Sequence, residues 1–319
     1  MSTFSTSEAL GAGFNLIGRK PLAVLAWGLT LLVLGVAPMA GLIALVLPDM
    51  ITFFQQMTAN ALAHPGEPPD PATFLPFQAR MMMFQPVILL SSVVSRAVLM
   101  GAVFRAVLEP KNDRFAYLRL GTRELWLGLL YLVLSILAAI LMVAIIMACA
   151  IIGVIVGLTL HASGAAPGWI ALAILPLVVA AMVVFIAVAV RFSLAPVMTY
   201  AENEFRLFES WNLTKGHAWK LFGLAFLLSL IVGVIAMVVQ TVFFGGMFAV
   251  VGMSGFDTTQ LQALLRQPPQ VWMQAAAPWI AVATVVICFL GAGFMAIFLA
   301  PWAVVYQQLT AAPPAPAAA

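Results

Sequence analysis

Six long apolar stretches, parted by short polar ones, dominate the pattern along the chain. They lie at about 22–47, 82–108, 125–160, 169–190, 221–251 and 279–299. Each holds the ~20 apolar residues that a helix needs to cross ~30 Å of hydrocarbon. The third is uncharged from Leu125 to Leu160, longer than one crossing requires, so it should tilt or protrude. In the fifth, Gly245-Gly246 offers a bend or an early end. The pattern predicts an all-α, polytopic membrane protein with six transmembrane helices in one membrane domain over residues 1–312. Pro313–Ala319 is a Pro/Ala tail with no reason to fold.

The polar stretches carry weaker signals. The first, about 48–81, contains His64-Pro65-Gly66-Glu67-Pro68-Pro69-Asp70-Pro71, which excludes regular helix. Its beginning, Ile51–Met57, is predicted as a helix extension at the interface. His161–Gly168 forms a short uncharged loop. In the third outer loop Asp257 is a candidate N-cap, followed by a short apolar face of Leu261, Leu264 and Leu265. In Glu202–Lys220, Phe205, Phe208, Trp211 and Trp219 recur at about three-residue steps among Glu204, Arg206, Glu209, Lys215 and Lys220. That spacing predicts an amphipathic helix lying in the membrane interface, with a loop of aromatic-belt anchors as the alternative.

Composition turns these helices toward lipid. Hydrophobic residues make up 64% of the 319 and charged residues 8%, against roughly 25% in a soluble domain. The formal charge is only +3, and where the basic residues fall matters more than their sum. Arg19, Lys20, Lys111, Arg114, Arg119, Arg123, Arg206, Lys215 and Lys220 share one set of helix ends, with Arg105 and Arg191 at its margin. The opposite loops hold Arg80 and Arg266. The excess marks the cytoplasmic side and puts both termini there. Leu22–Leu47 is too long for a signal-peptide core and reads as a retained first helix. No basic stripe interleaved with aromatics suggests nucleic acid. Cys149 and Cys288, both in apolar runs, read as free thiols.

The three helical hairpins resemble copies, at about 10–110, 111–200 and 201–310. Phe14-Asn15-Leu16 leads into Gly18-Arg19-Lys20, Tyr117-Leu118-Arg119 into Leu120–Arg123, and Trp211-Asn212-Leu213 into Lys215-Gly216-His217. On the way out, Arg105-Ala106-Val107-Leu108-Glu109-Pro110 and Arg191-Phe192-Ser193-Leu194-Ala195-Pro196 share R-x-x-L-x-P, and Leu299-Ala300-Pro301 keeps the last part. All three hairpins enter the membrane in the same sense, so they would be parallel repeats.

Glu209–Gly223, reading ESWNLTKGHAWKLFG, resembles the S-W-x-L-T-[KR]-G-x-x-W-x-L-F-[GA] segment of the glycerophosphoryl diester phosphodiesterase membrane-domain family and related bacterial inner-membrane proteins. Arg191–Pro196 and Phe14–Leu22 fit as well. The resemblance implies a bacterial cytoplasmic-membrane protein that stands alone or accompanies a partner. It does not imply a hydrolase, because the family's catalytic barrel needs ~250 residues that no segment here can supply.

Candidate chemistry is sparse. Arg96 is the one charge well inside an apolar run, with Ser92 one turn earlier and Ser91 and Ser95 beside it. An intramembrane charge needs a partner or water, so Arg96 and Ser92 are the candidate polar site, with Gln240 as a possible partner. An inter-helix structural bond is the plainer role for Arg96. Arg105 and Arg191 are candidate lipid-phosphate contacts, or simply topological anchors. His64, His161 and His217 lie in three loops and cannot converge on a metal. No cofactor or metal motif, P-loop, GxSxG, HExxH or GxGxxG appears. The reading is a non-enzymatic protein that meets membrane lipids, with a membrane-protein partner as a further possibility; the alternative is a small transporter or channel.

Overall fold

A computed structural model of the chain describes residues 4–63, 71–164, 167–250, 267 and 269–311. Their regular structure is helical throughout. The helices are α1 (Thr6–Arg19), α2 (Pro21–Thr30), α3 (Ala37–Ala63), α4 (Pro71–Leu108), α5 (Thr122–Ala162), α6 (Pro167–Phe192), α7 (Ala195–Glu202), α8 (Glu209–Leu213), α9 (Ala218–Val250) and α10 (Pro269–Thr310). A π-helical turn, Leu31–Val36, joins α2 to α3. Among the described residues, six helical stretches are long and apolar enough to cross a membrane. This is an integral membrane protein. His64–Asp70, Asp257, Leu261, Leu264, Leu265, Arg266 and the tail 313–319 lie outside the described residues.

The spans pack in chain order. The continuous α2–α3 span lies against α4, α4 against α5, α5 against α6, α6 against α9, and α9 against α10. α10 then seals the arrangement by packing on α2 and α4. The buried core gathers at the basic end of the spans, around Phe104, Leu127, Leu194, Tyr200, Leu221, Leu224 and Val305. Farther along, the helices show their side chains outward. None of the most apolar 18-residue window of α5 is buried. A surface so apolar is stable only against hydrocarbon.

The short α1 does not cross. Ser5 Oγ accepts from Glu8 N–H at 3.4 Å, and Glu8 and Arg19 sit at the ends that the helix dipole favours. Its buried side, Ala9, Gly13 and Leu16, lies on α10. A Cβ at Gly13 would stand 2.4 Å from Ile297 Cα, so hydrogen is what lets the two backbones meet there. Ser5 N–H donates to Gln308 Oε1 at 2.8 Å, and Gln308 Nε2 donates to Glu8 at 2.7 Å.

Several expectations are corrected. The stretch 48–81 is mostly helix: α3 continues past Pro48 to Ala63, and α4 begins at Pro71. The two ends hold each other through Phe53 stacked on Phe77 (centroids 4.7 Å apart) and Asp49 paired with Arg80 at 3.0 Å. His161 belongs to α5, not to a loop. α9 runs through Gly245-Gly246 to Val250. Gly246 is instead a slot for the Trp279 ring, which a Cβ would meet at 2.1 Å, and Trp279 Nε1 donates to Phe243 O at 3.2 Å. The sixth stretch, expected over about 279–299, lies within a longer helix: α10 runs from Pro269 through Pro301 to Thr310. Glu202–Lys220 is not one helix. Asn203 and Gly216 adopt positive φ (57° and 81°); the first ends α7 at Glu202, and the second separates the five-residue α8 from α9, which begins at Ala218.

Candidate functional site

Three groups of polar side chains lie at or within the spans. The largest is a knot at the basic end of α4 and α5. Arg105, in the last turn of α4, is 4% exposed, and Glu124, in the first turn of α5, is 3% exposed. The guanidinium donates to the Glu124 carboxylate and to the Tyr117 carbonyl. Its Cζ lies 5.7 Å from the centre of the Tyr200 ring, and Arg123 Cζ lies 5.1 Å from the same ring. Arg123 in turn pairs with Glu109. Arg105 therefore faces the protein interior. The expectation that it grips lipid phosphate is overturned, because Glu124 occupies the guanidinium.

The same knot holds a strained turn. Phe115, Ala116 and Tyr117 all have positive φ (52°, 56° and 66°), a region costing roughly 1–2 kcal/mol per non-glycine residue. Their carbonyls are pinned: Trp27 Nε1 donates to Ala116 O at 2.8 Å, and Arg105 takes Tyr117 O. Tyr117 Oη donates to Pro110 O at 3.1 Å. Lys20 stands 5.8 Å from the Tyr117 ring centre and pairs with Asp113 at 3.2 Å. Hydrogen bonding to Asp113 raises the Lys20 pKa. Partial burial pushes the Glu109 carboxyl up, but hydrogen bonds from Arg123 and Asn112 prevail and hold it below the usual carboxylate range. Nearby, Arg206 binds three carboxylates, Glu202, Glu204 and Glu209, at 2.8, 2.9 and 3.2 Å.

The second group surrounds Arg96 on α4. Its side chain is exposed, and its Cζ lies 5.2 Å from the Tyr131 ring centre on α5. No carboxylate among the described residues pairs with it. A crevice of about 310 Å³ runs beside it, lined in part by Leu31, Gly35, Pro38, Ser91, Ser92 and Ser95. The hydroxyls there already donate to carbonyls: Ser91 to Leu34 O, Ser92 to Leu89 O and Ser95 to Ser92 O. They therefore present lone pairs to the crevice, and Arg96 presents its N–H groups. Gln240 does not join this group. It is exposed on α9, which packs on α6 and α10, and the Tyr131 face takes the partner role assigned to it. A tyrosine 35 positions away, on the next span, carries no pairing signal, so reasoning from sequence missed it.

The third group is Arg191, in the last turn of α6. It is half-buried. Its Cζ lies 5.4 Å from the Trp211 ring centre, and its Nη1 is shielded from solvent without a hydrogen-bond partner. An apolar groove of about 310 Å³ opens beside it between α6 and α9. Trp219 and Phe208 stand exposed at this level, at 85% and 69%, as aromatic side chains do at a membrane interface.

Among the described residues, no group of three or more His, Cys, Asp and Glu could hold a metal ion. No protein-family model, curated protein or solved structure matches the chain.

Proposed function

We propose that this is a non-enzymatic protein of the bacterial cytoplasmic membrane, with both termini in the cytoplasm, that binds and organises membrane lipid at its basic rim. One observation carries this reading. Arg105, Arg123 and Arg206 are each held by a carboxylate of the protein, whereas Arg191, half-buried with Nη1 shielded from solvent, has no carboxylate partner among the described residues and stands beside an apolar groove. A cation flanked by apolar walls and interfacial aromatics has the character of a lipid site, not of a hydrolytic centre. The resemblance of Glu209–Gly223 to the glycerophosphoryl diester phosphodiesterase membrane-domain family supports the same reading, as a protein that acts beside a partner. The matching ends of the three hairpins support their descent from one repeated unit.

Lipid extracted with the purified protein and identified by mass spectrometry tests the proposal. A preparation that retains no phospholipid beyond bulk detergent exchange would remove it. Reporter fusions at Asn112 and Lys215 should read cytoplasmic and one near Pro68 external; a periplasmic signal from Lys215 would overturn the six-helix topology.

The second reading, a small transporter or channel, rests on Arg96 beside its hydroxyl-lined crevice. Flux into reconstituted vesicles that Arg96→Ala abolishes would favour it, and background flux from both proteins would eliminate it.

A further inference from the structure

Arg105 and Arg191 end two spans in the same R-x-x-L-x-P setting, yet the next helix meets them differently. At the α4–α5 seam, the first turn of α5 brings Glu124 over Gly101, one turn before Arg105. A Cβ at Gly101 would stand 2.8 Å from Glu124 Oε1, so the glycine makes room for the carboxylate. At the α6–α9 seam the residue one turn before Arg191 is Ala187, and the first turn of α9 brings Ala218 and Trp219. No acid enters. The seam stays open as a groove whose walls are Val183, Ile186, Val190 and Phe222.

We propose that this groove holds an anionic phospholipid of the surrounding membrane. Its phosphate accepts from the Arg191 guanidinium, as the Glu124 carboxylate accepts from Arg105, and one acyl chain lies along Val183, Ile186, Val190 and Phe222. The inference rests on the lipid-binding reading above and gives it a site and a headgroup chemistry.

Three features select this occupant. A phosphate offers oxygens in the paired geometry that a guanidinium prefers. The Trp211 ring covers one face of Arg191, which leaves the guanidinium edge to bind. The groove extends from Arg191 back to Val183, about 12 Å along α6, and this apolar wall gives a free phosphate ion nothing while it accommodates a chain.

The test is native mass spectrometry of the full chain in detergent, titrated with phosphatidylglycerol or phosphatidylcholine. Wild type should bind phosphatidylglycerol in preference. Arg191→Gln should weaken that binding about tenfold, the loss of one charge-assisted contact. Ala218→Glu should do the same while leaving Arg191 in place, because it supplies the carboxylate that α9 lacks. Ala187→Trp should weaken both lipids by filling the groove. Each variant must elute as one monodisperse species, and Arg80→Gln at the far end should bind as wild type does. If Arg191→Gln and Ala218→Glu both bind phosphatidylglycerol as tightly as wild type, this site is wrong and the broader lipid reading survives. If wild type binds no phospholipid at all, both fall. Displacement of bound phosphatidylglycerol by millimolar inorganic phosphate would identify an anion site and overturn the lipid assignment.

Discussion

Ser91 Oγ, on α4, donates to the Leu34 carbonyl in the π turn that precedes α3, four residues before Pro38. A helical residue at position 38 would give its N–H to the carbonyl four back, and Pro38 has none. The π turn at Leu31–Val36 ends beside it, and α4 supplies the missing hydrogen from outside. Ser91→Ala should therefore destabilise the protein by about 1 kcal/mol, the net worth of such a bond, read as a lower melting temperature in detergent. The cost should largely disappear in a Pro38→Ala background. An equal cost in both backgrounds would sever the link between Pro38 and Ser91.

The Arg105–Glu124 pair should be far more sensitive. Removing one partner of a buried ion pair leaves an uncompensated charge and costs about 3–5 kcal/mol. Glu124→Ala and Arg105→Ala should each reduce thermal stability severely, and the double variant should cost clearly less than their sum. Additive effects would mean that the two side chains do not meet.

Two glycines of α1 should respond to alanine with opposite signs. Gly18 has no heavy atom near its added methyl group, so Gly18→Ala should stabilise by up to about 1 kcal/mol through helix propensity. Gly13 faces the Ile297 backbone, which has no flexible end to yield. Gly13→Ala should destabilise, and a neutral result would mean that α1 does not rest on α10 in solution.

Acid should loosen the basic rim. Glu109 is held below the usual carboxylate range as described, and Glu209 by its own backbone hydrogen bond and by Arg206. A depressed carboxyl contributes stability that is fully present above the unfolded pKa of about 4.3 and is lost as pH falls through the lower folded value. Melting temperature should hold from neutral pH to about 5 and then drop as those carboxyls protonate. The drop should be shallower in Glu109→Gln and Glu209→Gln.

The spans were legible because lipid asks only for enough consecutive apolar residues, and the basic rim because topology is written in Lys and Arg. The fates of Arg105 and Arg191 were not. Both share one local motif, and what separates them arrives from the next helix, as Glu124 in one case and Ala218 in the other. The available signal was Glu124 itself, an acid in the first turn of a span, which needs a cation to pair with. The limits set at Leu47 and Leu299, and the bend expected at Gly245-Gly246, failed for a related reason: the helices run on through Pro48, Gly246 and Pro301. Packing against a neighbouring helix overrode the local preference to break.

The contact of α1 with α10 also sets an order of events. Ser5 and Gln308, which hold this contact, lie 303 positions apart. At synthesis rates of roughly 5–20 residues per second, α1 waits about 15–60 s for its partner to leave the ribosome. For that interval the slot behind Gly13 is unfilled, and the first span is held without its last neighbour. The N-terminal helix thus acts as the clasp that closes after every hairpin has been inserted.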